Sequence, residues 1–249
     1  MKMLSEIKKI VIWCATIYGI GMIIFLTFKN PFIFPNPNTI LRIMAEQVQD
    51  KDFYISILYT LTRVMSAVLC SFIGGIFLAS ISQLCLRASN WIETSILTIR
   101  TIPNITLLIV LLFWLDREQS IFWVLFLVLF PIVYQNCHDQ FLEIDQTWKP
   151  LFVLYPQSNF YKLKNVYLPL GRSALLSSFL SIVALGFKVG VMAEILSQVS
   201  LGIGKKMQYA KLNVDLASVL AWTIWLLLIV NIVVFLIRKG VQWIQKQTL

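Results

Sequence analysis

Charge is what this sequence has least of. Only 13% of its 249 residues are Asp, Glu, Lys or Arg, and 58% are hydrophobic, whereas a water-soluble domain carries roughly 25% charged residues. A soluble fold of this length has no interior large enough for that much apolar side chain. Histidine occurs once, as His138 with Asp139 beside it, and we expect a solvated loop residue there rather than a general base. Cys14, Cys70, Cys85 and Cys137 make no C-x-x-C pair and have no neighbouring histidine. That pattern excludes the usual metal and redox motifs and predicts buried small hydrophobes. A phosphate-binding G-x-x-x-x-G-K-[ST] loop is missing too, since the nearest string, Gly202 to Met207, has neither the spacing nor the hydroxyl. The 12 acidic residues avoid the apolar runs, so the intramembrane carboxylates of an ion-coupled pump are lacking. Energy for any transport must come from a partner.

What is present is a series of long apolar runs. A span of the hydrocarbon core needs roughly 17 to 25 residues, and charges bracket six such runs: Val11–Phe28, Arg63 to Arg87, Arg100 to Asp116, Glu118 to His138, a fifth after Arg172, and Leu216–Ile237. The expectation is an all-α polytopic membrane protein of about six transmembrane helices, forming one domain over residues 1–249. The first run follows Lys8 and Lys9 as in a signal peptide, yet it has no A-x-A-like site and reads as a retained span. The net charge of +9 comes from Lys and Arg in the segments between runs, with no block of five or six. That distribution fits membrane topology and not nucleic-acid binding. With both ends cytoplasmic, twelve basic residues fall inside and eight outside, the bias expected of short loops.

Between the runs, PFIFPNPNT is extended because proline restricts its own φ and the residue before it. A helix is predicted from Asn38 or Thr39, with Ile40, Met44 and Val48 on one face at the outer membrane surface. The longest inner segment, about 138–172, mixes charge with aromatics and is interrupted by Pro150, Pro156 and Pro169, which predicts short docked helices. In the second run Ala67, Ser71, Gly75 and Ala79 recur every four residues, a small-residue stripe that lets helices approach closely in lipid. Lys188 and Glu194 are the ionisable residues at or near membrane depth and the candidates for a translocation pathway, because an intramembrane charge normally faces a protein interior or a wet cavity. Six residues apart, they sit about 240° apart on a helix and cannot pair directly. Lys188 can line a path, bond a neighbour's carbonyls or snorkel. Glu194, nearer the outer end, suits a hydrogen bond to the following loop.

In order, these features resemble the permease subunits of the nitrate/taurine/sulfonate type of binding-protein-dependent ATP-binding-cassette importers. The likeness is carried by FPNPNT, by SILYTLTRVMSAVLCSFIGGIFLA with Arg63, by RTIPNITLLIVLLFW with Arg100 and Pro103, by LKNVYLP, by MAEILSQVSLGIG and by a basic tail with Trp243. It implies the fold of the membrane domain of a type I importer, paired with a second copy in a bacterial plasma membrane. It further implies two cytosolic ATPase subunits that hold the ATP and Mg, and an extracytoplasmic binding protein. The membrane chain itself would bind no cofactor and catalyse nothing. The ATPase-coupling residues it implies are Trp148, Leu151, Phe152, Tyr155, Pro156, Tyr161, Val166 and Pro169. This chain departs from the family where a Glu-Ala-Ala triplet gives way to Pro150-Leu151-Phe152, where a glycine gives way to Pro156, and where Asp116 closes the third run. The alternative is a non-transport membrane scaffold or assembly factor derived from such a permease.

Overall fold

A computed structural model describes residues 35–247 and four isolated positions before them, so the expected first span, Val11–Phe28, lies outside the described residues. The rest is all-helical. Helix α1 (Pro37–Val48) begins one or two residues before the predicted start, because Asn36 caps it by accepting from Asn38 N at 2.9 Å. Its buried Ile40 and Met44 pack on Ala217 and Ala221. Helix α2 (Lys51–Leu84) is capped by Asp50. Then come α3 (Leu86–Thr101), α4 (Asn104–Leu112), α5 (Arg117–Leu154), α6 (Asn159–Lys162), a π-helical turn (Leu163–Tyr167), α7 (Leu168–Leu170), α8 (Arg172–Ser197), α9 (Ile203–Leu212) and α10 (Leu216–Gln247).

Among the described residues, α2, α5, α8 and α10 are long and apolar enough to cross a membrane, and α3 with α4 makes a fifth span if the bent pair counts as one. These are the features of a polytopic helical membrane protein. Three boundaries differ from expectation. The third run is not a straight span: α3 and α4 meet at 88°, since Pro103 holds Ile102 extended. The second span starts at Lys51, twelve residues before Arg63, because a charge marks a membrane edge in sequence but does not end a helix. The fourth likewise runs past His138 to Leu154, carrying Pro131 and Pro150 inside it. Its 38 residues extend about 57 Å at 1.5 Å per residue, nearly twice the roughly 30 Å of hydrocarbon. Asp116, the departure noted above, caps α5 by accepting from Gln119 N at 2.9 Å.

The core lies among α2, α5 and α8. Val64, Ala67 and Val68 meet Leu125, Leu129 and Val133 of α5 and Ile182, Val183 and Phe187 of α8. The stripe Ala67, Ser71, Gly75 and Ala79 is buried along its length. A Cβ on Gly75 would lie 2.6 Å from Val133 Cβ and 3.0 Å from Tyr134 N. Substituting Gly75→Ala is therefore expected to destabilise the chain by about 1–3 kcal/mol through overpacking. A thermal midpoint in detergent equal to that of the wild type would show that α2 and α5 do not approach this closely. The expectation of buried cysteines fails at two positions: Cys70 and Cys85 are exposed on the chain surface, while Cys137 is buried and Cys14 lies outside the described residues. His138 is not on a loop. It sits buried on α5, its ring stacked on Tyr134 at 5.4 Å, because the helix carries it past the predicted boundary.

Candidate functional site

Among the described residues, three places bear on function. The first is a buried charge network at the end of the bundle where α2 and α5 begin and α8 ends. Glu194 is completely buried. Its carboxylate accepts from Arg63 Nη1, from Thr60 Oγ1 at 2.9 and 3.0 Å and from Gly204 N at 2.8 Å. Thr60 Oγ1 in turn accepts from Ile203 N at 2.9 Å, so the first two amides of α9, which no helix can satisfy internally, are capped by side chains from other helices. Arg63 also forks onto Glu118 of α5 at 2.6 and 2.8 Å. Arg117 Nη1 holds Gln198 O at 2.7 Å. The loop 198–202 is thereby tied to three spans at once.

The glycines of the Gly202-Ile203-Gly204 string have a steric role. Gly202 has φ +134°, and a Cβ on it would meet the Glu194 oxygens at 2.7 and 2.8 Å. On Gly204 it would lie 2.4 Å from Glu194 Cβ and 2.9 Å from Val191 O. Only glycine lets the loop come this close. Glu194 thus bonds the following loop, and through Arg63 it also joins a partner 131 residues away in sequence that no local pattern marks. Its lone pairs are occupied, so it is a structural anchor and not a free base.

The second place is a groove of about 630 Å³ between α4, α8 and α10, into which Lys188 projects. Ile105, Met192, Leu226 and Val230 form apolar walls, and among the described residues that line it Lys188 and Asn231 are the polar ones. Of the two residues expected in a pathway, the groove holds Lys188, while Glu194 lies in the network.

The third place is the apex where α5 ends. Its last four turns carry buried Phe141 and Ile144, which lean on Leu163 and Tyr167 of the π turn. Tyr167 donates to Asp145 Oδ1 at 2.7 Å; burial and that carboxylate push its phenol up to about 12. Lys162 Nζ lies 4.6 Å over the Phe152 ring. Above this brace the surface is apolar and open: Trp148, Leu151, Val153, Leu154, Tyr155, Phe160 and Tyr161 are all exposed, Tyr155 at 67%. Pro156 is exposed at the turn, and Phe152, Val166 and Pro169 are half-buried beneath. The expected short docked helices are α6 and α7, but Pro150 does not interrupt α5. It sits exposed on the last turns, where water can bond the carbonyl its ring leaves free.

No group of three His, Cys, Asp or Glu side chains gathers to hold a metal among the described residues. No protein-family model matches the chain, and no curated protein matches it.

Proposed function

We propose that the chain is the membrane-spanning permease subunit of an ATP-binding-cassette importer in a bacterial plasma membrane, with both ends cytoplasmic. Two copies form the pathway, two cytosolic ATPases holding ATP and Mg drive it, and an extracytoplasmic binding protein delivers a small anion, small organic molecule or vitamin precursor. The observation that carries this reading is the apex. A helix that outruns the membrane and ends in a braced, exposed aromatic surface rimmed by Lys149, Lys162 and Lys164 needs a partner to cover it. Helix α5 joins that surface to Glu118 at its other end. A push on the apex is carried along this one helix, which holds Pro131 and Pro150 within it, to the Arg63–Glu194 network, and rocking of such bundles alternates access.

Placing cysteine at Tyr155 in a variant lacking the four native cysteines tests the reading. A bifunctional thiol cross-linker applied to inside-out membranes is expected to join that cysteine to a protein that an azido-ATP analogue photolabels. Cross-linking to no ATP-binding protein would refute it. In the same background, a cysteine at Leu249 is expected to resist impermeant thiol reagents on intact cells; labelling from outside would overturn the orientation.

A further inference from the structure

The bent pair of α3 and α4 is built unlike the other spans. Nine residues make α4, a rise of about 14 Å and so half of a hydrocarbon layer of roughly 30 Å. Because α5 starts just beyond it, at the end of the bundle that holds the Glu194 network, the 88° elbow at Pro103 stands near mid-depth, level with the groove that Ile105 and Lys188 share. The surface changes character there. Of the eight uncovered residues from Asn90 to Thr101, six are polar: Asn90, Thr94, Ser95, Thr98, Arg100 and Thr101. At 100° per residue Asn90, Thr94, Thr98 and Thr101 lie within an arc of about 80°. Beyond the elbow α4 uncovers Ile105, Ile109 and Val110, with Thr106 the polar exception. Helix α8 divides in the same way: the hydroxyls of Ser173, Ser177 and Ser181 are exposed toward the apex end and Leu196 toward the other.

Which of these groups tolerate lipid decides what α3 faces. The hydroxyls do, because Thr94, Thr98 and Thr101 donate to Asn90 O, Thr94 O and Thr98 O at 2.8, 2.8 and 2.7 Å. The elbow backbone does not. No side chain caps α4, and the first amide after Pro103 to bond is Leu107 N, on Pro103 O at 3.1 Å, which leaves the amides of Asn104, Ile105 and Thr106 open. Such groups at membrane depth are tolerated only when buried in protein or wetted, and Thr101, Ile102, Pro103, Ile105 and Thr106 are all exposed. Amides at a helix start point back out of its N-terminus, here toward the apex end. Arg100, exposed on the last turn of α3 and without an ion pair among the described residues, adds a charge that lipid also rejects. Toward the other end the way is shut, by the apolar surface of α4 and by Glu194 with its partners.

We infer that water enters the bundle from the apex end along α3 and stops at the elbow between α3 and α4, so that the bent pair is the wall of a half-channel and not a span set in lipid. The half-channel goes beyond the transport reading, for it needs neither an ATPase nor a particular solute. It leaves about half of the hydrocarbon layer, from the elbow to the Glu194 network, as the barrier between the two sides.

Thiol chemistry in membranes tests this without any ATPase, so its outcome is independent of the cross-linking result above. In the background lacking native cysteines, Thr98→Cys is treated with 2-sulfonatoethyl methanethiosulfonate, a membrane-impermeant reagent that attacks only the hydrated thiolate. It is expected to react at least 20-fold faster than Ile232→Cys, an uncovered position of α10. The reaction should occur only from the membrane face at which a cysteine at Leu249 is labelled, which marks the apex side. Ile109→Cys, beyond the elbow, should be as slow as Ile232→Cys. Thr94→Cys provides a second reporter if Thr98→Cys expresses poorly. Labelling no faster than at position 232, labelling from the opposite face, or Ile109→Cys as fast as Thr98→Cys would each overturn the half-channel. So would a disulfide joining two copies at position 98 in place of labelling, since a second chain and not water would then cover α3.

Discussion

Replacing Glu194 by alanine is expected to lower the stability of the chain by about 3 kcal/mol. Removing one partner of a buried pair costs roughly 3–5 kcal/mol because the other charge is left uncompensated. The lower end applies because Glu118 still grips Arg63 through two hydrogen bonds. Thr60 and the Gly204 amide would lose their acceptor as well, and a buried unsatisfied donor is itself costly, about 1–3 kcal/mol. For a chain of this size about 3 kcal/mol corresponds to a fall in thermal midpoint of roughly 6–12 °C. Glu118→Ala removes a carboxylate that is more than half exposed and should cost about 1 kcal/mol or less. Equal midpoints for the two variants would mean that Glu194 is not the anchor of the loop.

The second large effect is at the apex. Tyr155→Asp is expected to leave folding and membrane insertion intact, since the side chain is already open to water. It should weaken capture of the cytosolic partner at least 30-fold. A central aromatic at an interface contributes on the order of 2 kcal/mol or more, and burying a carboxylate in its place adds a desolvation penalty. Retention of the partner at wild-type yield would show that residues 150–165 are not the docking element.

Much of the architecture was legible because apolar runs and amphipathic spacing report the membrane directly. Helix α1 with Ile40 and Met44 inward, and the small residues of α2 spaced every four positions, follow from local pattern alone. Other features were hidden for physical reasons. A hydropathy reading takes a charge as an edge, so it places boundaries at Arg63 and His138, although α2 and α5 run through both positions as helices. Pro103 carries the signal for the 88° bend, in the extended bias it imposes on Ile102, although apolar run length alone does not reveal it. The tie between Arg63 and Glu194 crosses 131 residues; periodicity is blind to such pairs. One hint was available: two opposite charges bordering apolar runs each need a counter-charge. The exposed hydroxyls of α8 emerge only when the rest of that helix is seen to be covered.

The central claim is that this membrane chain is driven by an ATP-hydrolysing partner seated on the α5 apex. Purifying the full chain from native membranes in mild detergent, and assaying the eluate for Mg-dependent ATP hydrolysis, tests it most directly. The account predicts hydrolysis that co-elutes with the wild-type chain through two successive columns and is absent from the Tyr155→Asp eluate. A wild-type chain that elutes folded with no ATP hydrolysis, or a Tyr155→Asp chain that retains it undiminished, would contradict the account.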